Sequence, residues 1–128
     1  MDEKQQFIVI VEDDSGLRRA VERLLRLSGF QTRSFHSAED TDVFEFSSTA
    51  CCLIIDVQLP GISGPAFYGT LHSPRPPVVF MTAYDGVRTR RAVESAGAYA
   101  LLTKPFLGET LIDEVLKATG QRHSARSG

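Results

Sequence analysis

Three short apolar runs stand out along the chain: FIVIV at 7–11, CCLII at 51–55 and VVFM at 78–81. Each is unbroken rather than alternating, and too short for a helix. Each therefore reads as a parallel strand buried on both faces. Segment 31–35 is shorter and mixed, as expected of an edge strand, and 99–103 predicts a fifth strand. Between the strands the apolar positions change to helical spacing. Leu17, Ala20, Val21, Leu24, Leu25 and Leu27 predict a helix over 15–28, with Ser15 as its cap and Gly29 as its stop. Ser37 and Asp40 resemble a capping box for a helix reaching Phe46. Pro65 suits the first turn of a short helix carrying Phe67, Tyr68 and Leu71. Asp85 predicts the cap of a helix running to Ala96 and stopping at Gly97. Leu111, Ile112, Val115 and Leu116 share one face of a last helix over 107–119.

Strand–helix alternation of this kind, without internal repeats, predicts right-handed crossovers and a doubly wound α/β domain. Its five-stranded parallel sheet would be covered by helices on both faces. The domain is expected to occupy residues 1–119. The polar, aperiodic stretch GQRHSARSG at 120–128 reads as a tail or the start of a linker.

At 128 residues the chain can build one hydrophobic core, and a net charge of −2 gives no global basic field. Direct nucleic-acid binding by this domain is therefore not expected. No apolar run nears the length of a membrane span, and the opening MDEKQQ is too acidic for a secretory signal. The expected location is the cytoplasm, with no membrane partner. Cys51 and Cys52 are adjacent on one strand and point to opposite faces, so they pack as small hydrophobes rather than pair.

In an open parallel sheet the carboxyl ends of the strands lie along one edge, where ligands bind. Glu12 and Asp13 follow the first strand, Asp56 the third, Thr82 the fourth and Lys104 the fifth. Taken singly, these residues have simpler readings as helix caps or turn residues, and Asp14 keeps the capping role. Taken together, three carboxylates on one edge repel one another unless a cation joins them. Hard oxygen donors of this kind suit Mg²⁺, with Mn²⁺ as the alternative. Beside such a cation Asp56 can act as a carboxylate nucleophile, while Thr82 and Lys104 each hold one phosphoryl oxygen. Pro105 restricts the backbone after Lys104, and a cis bond there would aim the lysine. His36, His72 and His123 lack ligand spacing, and Arg88, Arg90 and Arg91 read as a solvated helix face.

The same residues carry a resemblance. Glu12-Asp13 after FIVIV, Asp56 in IIDVQLPGISG, Thr82-Ala83 in VVFMTAY, Lys104-Pro105-Phe106 and Ala96-Gly97-Ala98 are similar to the receiver domain of two-component response regulators. The match runs from about Gln6 to Ala118. The resemblance implies the flavodoxin-like strand order 2-1-3-4-5. It implies that Asp56 accepts a phosphoryl group from a sensor histidine kinase, with Mg²⁺ held by Glu12, Asp13, Asp56 and the backbone carbonyl of Gln58. It also implies that Thr82 and the switch position of the fifth strand then rearrange, changing the surface of the fourth helix, fifth strand and fifth helix. That surface would bind a downstream protein, govern a DNA-binding output domain or form a phosphorylation-dependent homodimer. Gly29-Phe30, Ser37-Ala38-Glu39 and the short third helix most resemble receivers of the FixJ/NarL group, in which a helix-turn-helix domain follows.

Two features depart from the family pattern. Leu101 occupies the switch position that is usually aromatic, and Tyr99 lies two residues earlier on the same face. Gln58 and Tyr84 stand where the family flanks the path of the hydrolytic water, so both are expected to slow hydrolysis of the acyl phosphate. The alternative function is a degenerate receiver that binds partners without phosphorylation. A haloacid-dehalogenase-like phosphatase needs a second acid two residues after its nucleophile, and this chain has Gln58 there. The domain is accordingly read as a phosphoacceptor rather than a turnover enzyme.

Overall fold

A computed structural model describes residues 6–120. The elements, in order, are β1 (Phe7–Val11), α1 (Ser15–Leu27), β2 (Gln31–Phe35), α2 (Val43–Thr49), β3 (Cys52–Asp56), α3 (Gly64–Gly69), β4 (Val78–Thr82), α4 (Val87–Ala96), β5 (Ala100–Thr103) and α5 (Gly108–Ala118). All strand pairs are parallel, and the sheet order is β2-β1-β3-β4-β5. The MDEKQ start, the 121–128 part of the expected tail and His123 lie outside the described residues.

The unbroken apolar runs are explained by what covers them. Val9, Val11, Leu53, Ile55, Val78 and Phe80 face a core that includes Val43 of α2, Phe67 and Tyr68 of α3 and Val93 of α4. Ile8, Ile10, Ile54, Val79 and Met81 face the other way, onto Val21 and Leu25 of α1 and Leu111 and Val115 of α5. A strand with helices on both sides has no solvent face, so its sequence cannot alternate. Burying each such side chain stabilises the fold by ~1.5–3 kcal/mol. At the sheet edge, β2 alternates in part and leaves Gln31 and Arg33 exposed.

Several element boundaries differ from the expected ones. Ser15 does not cap α1; Asp14 does, in the capping role expected of it, and its carboxylate accepts the Leu17 N–H at 3.2 Å. Leu27 ends that helix 79 % exposed, and Ala20 is exposed as well, so the apolar stripe is narrower than its spacing suggested. The helix expected from Ser37 begins six residues later, at Val43. Ser37 Oγ accepts the Glu39 N–H at 2.9 Å and Asp40 Oδ1 accepts the Asp42 N–H at 3.0 Å. Both side chains close local turns and so compete with the helix for its backbone donors. Asp85 is not the cap of α4: Gly86 occupies that position without a side-chain bond. Gly97 does end α4, at φ 84°, a left-handed conformation that glycine adopts without a Cβ penalty.

Candidate functional site

The chain's winding reverses between β1 and β3, so the crevice for a ligand opens at the carboxyl ends of these two strands. Strand parity decides which side chains meet there. Asp56 shares the face of Ile54, and Lys104 continues the face of Leu102; both faces look toward α1 and α5. Lys104 Nζ accordingly lies 3.0 Å from Asp56 Oδ2 and 3.0 Å from Glu12 Oε1. The Lys104 N–H donates to the Thr82 carbonyl at 2.8 Å, which carries the pairing of β4 and β5 one step past the strand end. The Lys104–Pro105 peptide bond is cis.

Glu12 is 1 % exposed and Asp56 3 %, whereas Asp13 is exposed. Glu12 Oε2 accepts the Asp14 N–H at 3.0 Å, and Asp56 Oδ1 accepts the Gln58 N–H at 3.1 Å. Burial pushes the Glu12 carboxyl above its usual range, and the nearby Asp56 adds to this against the opposing Asp14 N–H and Lys104. Burial alone would lower the Lys104 ammonium, but its bonds to Glu12 and Asp56 and their charges outweigh burial and raise it. The lysine thus stays charged and partly offsets the two acids.

Glu12, Asp13 and Asp56 each offer one carboxylate oxygen, and these oxygens lie within 4.8 Å of one another. The donors are all hard oxygens, two of them buried and one open to water. That set suits a small divalent cation retaining several waters.

Thr82 lies on the opposite parity, with Phe80, and does not touch Asp56 by any described hydrogen bond. Its hydroxyl, wholly buried, donates to the Tyr84 carbonyl at 2.8 Å and accepts the Tyr84 N–H at 3.0 Å. Gln58 Oε1 is 3.1 Å from the same hydroxyl. Tyr84 is 68 % exposed. On this side Asp85 takes the Arg90 guanidinium through both oxygens, at 2.7 and 2.9 Å, and accepts the Thr103 hydroxyl at 3.3 Å.

The family model of the response regulator receiver domain matches residues 8–116. The chain belongs to the response regulator receiver family. Among relatives of this receiver, Nodulation protein W of Bradyrhizobium diazoefficiens is 31 % identical over 121 residues, covering 93 % of this chain and 53 % of that protein. Response regulator protein FleR of Pseudomonas aeruginosa is 37 % identical over 119 residues, 89 % of this chain and 25 % of that protein. The receiver thus spans about half or less of these relatives' length. A response regulator receiver protein from Burkholderia phymatum has the same fold with a TM-score of 0.80 at 36 % identity, covering 92 % of this chain and 98 % of that one. The strand order implied by the resemblance is the observed one, and receiver domains are signalling modules. Among the described residues of this receiver no helix is long and apolar enough to cross a membrane.

Of the residues expected at the site, Glu12, Asp13, Asp56 and Lys104 are brought together. Thr82 and Gln58 are joined to each other beside them. Leu101 is half-buried and borders, with Tyr99, Arg90 and Val93, a surface cavity of about 200 Å³ against α4. Three contacts were not foreseen. Arg18 donates to the Glu12 carbonyl at 2.7 Å, from one turn into α1. Asp85 bridges Arg90 and Thr103 instead of capping α4. Gly64 packs so closely on β3 that a Cβ would run into the Asp56 carbonyl oxygen. Only the Asp85–Arg90 pair left a trace in the sequence, as opposite charges near the start of a helix.

Proposed function

We propose that this receiver is the phosphoacceptor of a two-component relay, with Asp56 as the nucleophile. The observation that carries the reading is a nearly buried Asp56 carboxylate held by an ammonium at 3.0 Å and joined by two further acids on the same sheet edge. An Asp56 carboxylate oxygen attacks the phosphorus of a kinase phosphohistidine. The phosphorus–nitrogen bond breaks with its electron pair left on the imidazole, and an acyl phosphate forms. Lys104 gives its ammonium to one phosphoryl oxygen, and Thr82 turns its hydroxyl to another. Glu12, Asp13, Asp56 and the Gln58 carbonyl would hold Mg²⁺, or Mn²⁺ with the same donor chemistry. Bound there, the ion supplies charge neutralisation for the transferring oxygens.

In this reading residues 1–119 form the functional unit, Pro105 fixes the backbone beside Lys104, and Leu101 replaces an aromatic in the switch. The altered surface of α4, β5 and α5 would then address a DNA-binding output domain, a downstream protein or a second phosphorylated copy. The FixJ/NarL grouping rests on Gly29-Phe30, Ser37-Ala38-Glu39 and the short α3. Gln58 and Tyr84 are assigned to slowing attack of water on the acyl phosphate. A Gln58→Ala/Tyr84→Ala variant is expected to have a shorter phosphoryl half-life than wild type.

The deciding experiment is intact mass after incubation with acetyl phosphate and Mg²⁺. Wild type should gain one phosphoryl group, and Asp56→Ala or added chelator should abolish the gain. No gain in wild type, even with a panel of histidine kinases, would replace this reading with that of a phosphorylation-independent interaction module.

A further inference from the structure

We propose that the Gln58 side chain is a resting-state latch on Thr82, and hence a positioning residue for phosphoryl binding. The inference rests on the phosphoacceptor reading above. Thr82 Oγ1 carries one proton and can accept two more bonds. Tyr84 uses up one donation and one acceptance, through its carbonyl at 2.8 Å and its N–H at 3.0 Å. The Gln58 amide lies 3.1 Å away. An amide offers either an oxygen or an NH₂ group at that reach, and the two are interchangeable by rotation. With NH₂ turned inward, every bonding direction of the hydroxyl is filled. With oxygen inward, Gln58 and the Tyr84 carbonyl compete for one proton. Either way the Thr82 proton is committed to protein oxygens and withheld from the phosphoryl site.

Gln58 is placed for this by its own backbone. Its N–H donates to Asp56 Oδ1 at 3.1 Å, so one residue holds the acceptor carboxylate with its main chain and Thr82 with its side chain. Parity places these two groups on opposite faces of the sheet, and Gln58, in the loop beyond β3, bridges them. Releasing Thr82 toward the phosphoryl group therefore requires the Gln58 bond to break. The side chain is exposed, so water competes for the bond and its weight is that of one modest hydrogen bond.

Gln58→Met keeps the side chain's length and both backbone groups while deleting the amide. The test titrates Mg²⁺ with beryllofluoride, a phosphoryl analogue, into wild type, Gln58→Met, Thr82→Ala, their double variant and Asp56→Ala, following the Thr82 and Tyr84 region by NMR. Gln58→Met is expected to bind about threefold more tightly than wild type, as the loss of one competing hydrogen bond implies. The same change should have no effect in the Thr82→Ala background. Equal or weaker binding, or a gain that persists without the Thr82 hydroxyl, overturns the latch. Binding seen in wild type and lost in Asp56→Ala, together with a neutral Gln58→Met, overturns the latch alone. Absence of binding to wild type overturns the phosphoacceptor reading along with it. If Gln58→Met fails to fold, Gln58→Ala carries the same comparison.

Discussion

Gly64 lies against the Asp56 carbonyl, and its N–H donates to the Val57 carbonyl at 3.0 Å, so the loop after Asp56 is folded tightly back on β3. A side chain at this position has to displace main chain rather than a flexible tip. Gly64→Ala is expected to destabilise the domain by about 1–3 kcal/mol in denaturant unfolding, the usual cost of overpacking, and to slow phosphorylation of Asp56. Asp85 behaves differently because it is exposed. The hydrogen bonds and charge of Arg90, with help from Thr103, hold its carboxyl below the usual 3.8. A depressed acid contributes stability that is present above 3.8 and is lost as the pH falls through the lower folded value. Carboxyl-carbon NMR should show a midpoint below 3.8 in wild type that returns toward the ordinary value in Arg90→Ala. A midpoint unchanged by that substitution would rule out the bridge.

Among the elements, the helices were harder to bound than the strands. Apolar runs buried on both faces mark strands directly, whereas a helix start depends on which of several polar side chains captures a free N–H. Asp14 captures it ahead of Ser15, and the Ser37 and Asp40 turns push α2 along to Val43. Helix α2 also carries a liability, because Ser47 Oγ is buried and has no hydrogen-bond partner among the described residues. A buried, unsatisfied hydroxyl costs ~1–3 kcal/mol. Ser47→Ala removes that hydroxyl without opening a large cavity, and is expected to raise the unfolding free energy by about 1 kcal/mol. A decrease in denaturant midpoint would show that the hydroxyl is satisfied in solution.

For the whole molecule, the sheet edge gathers three carboxylates, two of them paired with one ammonium, a concentration of negative charge that a folded domain tolerates better with a cation bound. A ligand that binds only the folded state stabilises it by RT ln(1 + [L]/Kd), about 2.7 kcal/mol at a hundredfold excess over Kd. Mg²⁺ is therefore expected to raise the melting temperature of wild type in a concentration-dependent way. Asp13→Asn should remove most of that rise and Thr82→Ala should leave it intact, as read by calorimetry. Equal shifts in wild type and Asp13→Asn would place the ion elsewhere.

The sequence by itself determined the α/β class, the positions of the five strands and the residues at their carboxyl ends. It could do so because buried strands and strand-end polar groups are local features of the chain. The pairing of Lys104 with both Glu12 and Asp56 was legible only as a convergence on one edge, since its two contacts span 92 and 48 residues of sequence. Tertiary structure alone decided that Thr82 rests against Gln58 and Tyr84 instead of facing Asp56. It also decided that Asp85 bridges to Thr103, and that Gly64 closes on β3. Each of these depends on strand parity and loop path beyond the strand ends, where a side chain's direction is set by neighbours distant in the chain.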